Sequence, residues 1–246
     1  MPAHGSARAP VRVLPAAAAA LLVLAVAVLP AAGAAGGETS DRPPPGLFGS
    51  LEFRTANLAA IRQWGSVLDR IAAEEEIVAA CDDDIRACPS PQTVAWRAMV
   101  HAQRGRHPLR QLREVNAFVN DIVPYRIDHD VFGVSDYWAS PLELLEHAGD
   151  CEDFAIMKYE TLLDLGFSNE QMRIAVVNDT IRNLPHAVLV VEYDGRVFVL
   201  DSLIDVVVGH EALRQYVPQY SVNRTHRWAH IATPELAARF YDNLSQ

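Results

Sequence analysis

One cysteine, Cys151, stands among three acids, Asp150, Glu152 and Asp153, in the run HAGDCEDFAIMKYETLLDLGF (147–167). A thiol attacks through its thiolate, and neighbouring negative charge raises the thiol pKa and opposes that form. The run therefore sets two chemistries side by side. A nucleophilic cysteine needs a base to take its proton, and a carboxylate cluster needs a cation to relieve its repulsion.

The base is sought among nine histidines. His186 opens the apolar run HAVLVVEY (186–193), and RVFVLDS (196–202) follows after Asp194-Gly195. Asp-Gly between two β-branched runs is a strong hairpin signal. A two-residue turn pairs Tyr193 with Arg196, so Val188 faces Asp201 and His186 lies one diagonal step from that carboxylate. Diagonal neighbours are roughly 7–8 Å apart at the backbone, within reach of long polar side chains. Cys151, His186 and Asp201 then form a thiol-protease triad, in which the histidine takes the proton and the acid orients the imidazole. A three-residue turn would shift the register and bring Asp205 forward instead. His147 is nearer in sequence, but no periodicity supplies it with an orienting acid.

The acids admit two readings. Asp150 suits a helix N-cap and Asp153 the third helical position of a capping box. Glu152 needs neither role and stays close to both. Three carboxylates held together would suit a hard divalent cation with oxygen ligands, and Ca²⁺ tolerates irregular geometry. From the residues alone, capping and calcium both stand.

These groups require a scaffold. Residues 151–165 read as a helix with a buried stripe of Phe154, Ala155, Tyr159, Leu162 and Leu163 and a stop at Gly166. Cys151 then occupies the first turn, where free N–H groups favour a thiolate. Upstream, apolar spacing predicts helices over 57–80, 91–104 and 109–122, the last stopped by Pro124. The region 124–146 reads as irregular and aromatic. Extended runs follow at 172–178, 186–193 and 196–202, and 216–230 reads as a last strand and a packing segment. Trp138 is either a core aromatic or an indole N–H donor to an oxyanion.

The N-terminus sets the compartment. Arg8 and Arg12 precede a nearly unbroken apolar run, Val13 to Leu29, and Ala32-Gly33-Ala34 fits a small-residue cleavage site. This reads as a secretory signal peptide over 1–34, with an uncleaved N-terminal anchor as the rival. Loss of the two arginines takes the formal charge from −10 to −12. So acidic a surface argues against nucleic acid and anionic lipid as partners and suits cations. A Gly/Pro-rich linker is expected over 35–50 and one catalytic domain over 51–246, with a helical lobe at about 51–123 and a sheet lobe at about 124–246. Of the three cysteines, Cys81 and Cys88 are expected to pair in an oxidising compartment. That leaves Cys151 as a single reactive thiol.

The runs DYWASPLELLEHAGDCEDFAIMKYETLLDLG (136–166), PHAVLVV (185–191), FVLDSL (198–203) and YVPQYSVNRTHRWAH (216–230), with the upstream cysteine pair, resemble the bacterial transglutaminase-like cysteine peptidases, and within them the LapG-type branch. The serine of LDSL replaces the asparagine usual in that pattern. The resemblance implies an α+β papain/transglutaminase-like fold and a triad of Cys151, His186 and Asp201. It implies calcium held by Asp150, Glu152 and Asp153. It further implies a periplasmic endopeptidase that cuts a large surface adhesin near its N-terminus at a di-alanine site, controlling biofilm release. An inner-membrane cyclic di-GMP receptor would be the inhibitory partner. Acyl transfer to an amine shares the same triad, and a non-catalytic calcium-binding adaptor shares the fold. A thiol redox role lacks a C-x-x-C motif.

Overall fold

The computed structural model describes residues 46–234. The signal peptide read at 1–34 and the first part of the linker, 35–45, lie outside the described residues. The last part of that linker is packed. Residues Leu47–Gly49 form a single 3₁₀ turn, and Leu47, Phe48 and Ser50 are all buried. Two large apolar side chains in so short a stretch had somewhere to go, which the surrounding glycines and prolines concealed.

Among the described residues five α-helices precede the thiol. Helix α1 spans Arg62–Asp83 and buries Trp64, Val67 and Ile71 on one face. It starts five residues later than the apolar pattern suggested. Cys81, near its end, is bonded to Cys88 across a 3₁₀ turn, Ile85–Ala87. Helix α2 (Pro91–Gln103) is capped by Ser90, whose Oγ accepts from the Thr93 N–H at 3.0 Å, with Pro91 in the first turn. Helix α3 (Pro108–Ile122) buries Leu112, Val115 and Val119. The segment read as irregular holds two short helices, α4 (Asp128–Phe132) and α5 (Pro141–Glu146). A reciprocal Ser140/Glu143 capping box opens α5.

Helix α6, Cys151–Asp164, is buried on more than one face, with Phe154 through Tyr159 all inaccessible. The Asp150 N–H donates to Asp153 Oδ2 at 3.0 Å, one half of the capping box. Its C-terminus is a Schellman motif. The Phe167 N–H reaches Leu162 O and the Gly166 N–H reaches Leu163 O, both at 3.0 Å, with Gly166 at φ +96° where a side chain would be strained.

The rest is one antiparallel sheet. Its strands are β1 (Leu51–Thr55), β2 (Met172–Asp179), β3 (Leu184–Tyr193), β4 (Arg196–Asp201), β5 (Ile204–Gly209), β6 (Tyr216–Val222) and β7 (Arg227–Ile231), in the order β1-β7-β6-β2-β3-β4-β5. The β3–β4 register runs from Tyr193↔Arg196 to Leu189↔Leu200, which sets Asp201 opposite Val188 as the two-residue turn requires. Asp194 and Gly195 both have positive φ, 53° and 67°, the signature of a type I′ turn. Strand β1 departs from the lobe division: it belongs to the sheet, although it lies in the segment assigned to the helical lobe. The 216–230 run likewise makes two strands, not one.

Alternation along β3 and β4 feeds two cores. Leu189, Val191 and Leu200 pack with the helices, whereas Val188, Val190 and Val199 pack with Leu47, Phe48, Leu213 and Tyr216. At the β5 edge, α3 supplies Asn116, whose amide donates to Ile204 O at 2.8 Å and Asp205 O at 3.0 Å. Among the described residues no helix is long and apolar enough to cross a membrane.

Candidate active site

The hairpin delivers the histidine–aspartate pair. His186 Nε2 lies 2.8 Å from Asp201 Oδ1, and both side chains are excluded from solvent. This leaves Nδ1 as the ring nitrogen available to a thiol. Asp201 is held on every side. Its Oδ1 also accepts the Leu203 N–H at 2.9 Å, and its Oδ2 accepts the Tyr216 hydroxyl at 2.6 Å. Burial alone would raise its pKa, but the bond and charge of His186 and the two further donors bring it below the ordinary carboxylate value. The acid therefore stays ionised and can orient the ring. Asp205 is placed otherwise: its Oδ1 accepts from Asn120 at 2.9 Å. His147 sits at the surface, 3.9 Å from Glu146.

Cys151 is the first residue of α6, which packs against β3, the strand that carries His186. The thiol's own proton points elsewhere, to Glu152 Oε2 at 3.2 Å. Burial, then the charges of Glu152 and Asp150 and the bond to Glu152, push the thiol well above its ordinary value. In this arrangement the cysteine is a protonated thiol, held so first by burial and then by the acids beside it.

The acid cluster is larger than the three residues beside the cysteine. Carboxylate oxygens of Asp128, Asp150 and Asp153 lie within 4.8 Å of one another, as do those of Asp128, Asp136 and Glu152. Asp153 is pinned from two sides, by the Ala139 N–H at 2.6 Å and the Asp150 N–H at 3.0 Å. Asp128 Oδ2 accepts the Tyr137 N–H at 2.6 Å. Yet Asp128 Oδ1 and Asp150 Oδ1 are buried with no hydrogen-bond partner. Two orphaned carboxylate oxygens side by side are costly unless a cation or protons join them. Protons are the answer when no ion is present: burial and the neighbouring Asp150 raise Glu152 to about 10, and burial with Asp150 and Asp136 raises Asp128 to about 6. Buried Asp153 is likewise well above its ordinary value. An all-oxygen donor set of this kind, with unfilled lone pairs, fits Ca²⁺.

Trp138 is placed as a core aromatic. It is buried, its ring meets Trp64 edge-on at 6.1 Å, and its indole N–H donates to Asp136 Oδ1 at 3.1 Å. That N–H is engaged and does not face the thiol. Four residues near the site were not singled out from the sequence: Tyr125, Asp128, Asp136 and Tyr216. Asp128 opens α4 and Tyr216 opens β6, while Tyr125 and Asp136 lie in the connections around α4. Asp136 and Tyr216 lie in runs whose resemblance had been noted, and no chemistry was read at either.

Comparison with known proteins agrees with this geometry. A family model described as bacterial transglutaminase-like cysteine proteinase (BTLCP) matches residues 76–235. Solved structures of LapG from Legionella pneumophila resemble the chain. One is 28% identical, with a TM-score of 0.56, covering 68% of this chain and 94% of that one. A calcium-bound form is 30% identical with a TM-score of 0.51, covering 63% and 88%. An EGTA-treated form is 27% identical with a TM-score of 0.55, covering 68% and 97%. No curated protein matches the chain.

Proposed function

The chain belongs to the bacterial transglutaminase-like cysteine proteinases, and from that premise we propose that it is a calcium-dependent periplasmic endopeptidase acting through Cys151, His186 and Asp201. The observation that carries the reading is the buried 2.8 Å His186–Asp201 bond, set on a strand, β3, that packs against the helix Cys151 opens. The imidazole takes the thiol proton, the thiolate attacks the peptide carbonyl, and the imidazolium then protonates the departing amine. Water resolves the thioester with the same histidine as base.

Asp150, Glu152 and Asp128 would hold the calcium ion, with Asp153 and Asp136 beside them. Bound there, the ion would offset the charge of the carboxylates beside the thiol. The S–H proton, which points to Glu152, is the one His186 takes. The acids thus make the nucleophile conditional on calcium. The calcium-bound and EGTA-treated structures of the similar LapG support the same cofactor.

The resemblance to LapG supports a substrate class as well: the N-terminal region of a large surface adhesin, with an inner-membrane cyclic di-GMP receptor as the restraining partner. Apolar side chains exposed beside each element, Ile127, Leu184 and Leu203, suit an extended polypeptide. Incubation of the calcium-loaded protein with N-terminal adhesin fragments is expected to yield discrete cuts that Cys151→Ala abolishes. Cleavage that survives Cys151→Ala would exclude this mechanism.

A further inference from the structure

A cysteine protease must stabilise the oxyanion that forms when the thiolate adds to a carbonyl, and Trp138 does not face the thiol. Another donor does. Tyr125 follows Pro124 in the loop between α3 and α4. An isolated bridge pairs Tyr125 with Gly149, and the Arg126 N–H donates to Gly149 O at 2.8 Å, which ties this loop to the residues just ahead of Cys151. The Tyr125 ring rests against Phe154 of α6, with centroids 6.0 Å apart. The bridge to Gly149 and the ring contact with Phe154 bring the phenol beside the first turn of α6, which Cys151 opens. Although packed on one side, the residue is 47% exposed and so open to a polypeptide arriving from solvent.

We propose that Tyr125 is a catalytic residue, the side-chain donor that stabilises the tetrahedral oxyanion formed at Cys151. This rests on the cysteine-proteinase reading of the site. In the step concerned, the S–H proton passes to His186 and a new S–C bond forms. The carbonyl π pair moves onto oxygen, and that oxygen accepts from the Tyr125 O–H and from a backbone N–H of the first turn of α6. Collapse restores the carbonyl, breaks the C–N bond and sends the imidazolium proton to the amine. Tyr125 keeps its proton throughout.

Two reagents separate this role from an effect on the thiol itself. Acylation by p-nitrophenyl acetate passes through a tetrahedral oxyanion, whereas alkylation by iodoacetamide does not. With calcium present, Tyr125→Phe keeps the ring against Phe154 and removes only the hydroxyl. The burst of p-nitrophenol is expected to slow about 100-fold, the effect of one lost oxyanion donor, with alkylation within about threefold of wild type and Tm unchanged within error. An unchanged burst rate would overturn the proposal, and so would a parallel fall in both rates, which would mark Tyr125 as acting on the thiolate. If wild type acylates no faster than Cys151→Ala, the proteinase reading itself fails. That outcome is distinct from a burst present in wild type and equal in Tyr125→Phe.

Discussion

Tyr216 on β6 donates its hydroxyl to Asp201 on β4, 2.6 Å away, while His186 on β3 takes the other carboxylate oxygen. Three strands thus converge on one acid. Because Asp201 titrates below its ordinary value, the stabilisation it contributes is present above the unfolded carboxylate pKa, about 3.9. It is lost only as pH falls through the folded value. At neutral pH the ring is therefore oriented by a full charge. Asp201→Asn is expected to lower kcat by roughly 10³–10⁴-fold with modest effect on KM, through loss of the correct tautomer. A loss under tenfold in steady-state proteolysis would remove Asp201 from the triad.

Tyr216→Phe leaves His186 in place and deletes one of the three donors to Asp201. We expect a milder loss, roughly tenfold in kcat, as for one buried hydrogen bond to a charge. A pH–rate profile should show the acidic limb shifted to higher pH, since the carboxylate loses a bond that held it ionised. An acidic limb that stays put would count against the contact.

The carboxylate cluster predicts a calcium response. Chelation is expected to abolish proteolysis and lower Tm, and calcium, but not magnesium, should restore both, because the cluster is irregular and rich in carboxylates. Asp128→Asn should weaken calcium affinity at least tenfold by calorimetry while the apo protein keeps or gains stability, since a raised carboxyl pKa marks an unfavourable buried charge. Identical calcium titrations for variant and wild type would exclude Asp128 as a ligand.

Lys158 offers a test of the fold's electrostatics. Its Nζ is buried without a hydrogen-bond partner, and burial draws the ammonium down to about 7 against the opposing charges of Asp201 and Asp205. The unfolded value, about 10.4, is higher. The unfolded chain therefore binds more protons between these values, and stability from this group rises with pH across that window. Lys158→Met should raise Tm, and by more at pH 7 than at pH 9.5. A gain of equal size at both values would show that the ammonium is not the cause.

The Cys81–Cys88 bridge closes a loop with a sequence separation of 7. On a loop-entropy basis it contributes about 2–3 kcal/mol. Replacing both cysteines by serine is expected to lower Tm by roughly 5–10 °C and leave proteolysis intact at 25 °C. Lost activity in a variant that remains folded would assign the bridge a part in the site.

What was legible in the sequence was local. Asp194-Gly195 specified a turn with two positive φ angles, and that alone fixed the register bringing Asp201 to His186. The S/T-x-x-E spacing of Ser140 and Glu143 was equally present, but α5 has only six residues, too few for a periodicity. The illegible parts depend on distant pairing. β1 meets β7 through Leu51↔Ile231 and its neighbours, and nothing in LEFRT announces a partner nearly the whole domain away. Asp128, Asp136 and Tyr125 join the site because a loop folds back onto Gly149, and loop geometry leaves no period in the chain. Glu152's hold on the thiol proton was also invisible, since helical spacing turns its backbone position away from Cys151 and only the side chain returns.

The Asn116 contacts with Ile204 and Asp205 have a meaning beyond positioning. Strand β5 is the outer strand of the sheet and exposes Val206 and Ile204, a combination that invites a second chain to add itself as a further strand. Carbonyls of successive strand residues point to opposite sides, so one of the two that Asn116 takes lies on the outer side, and this margin offers an incoming strand an incomplete template. An enzyme whose substrates arrive as extended polypeptide is thereby spared from capturing them, or its own copies, at the wrong place.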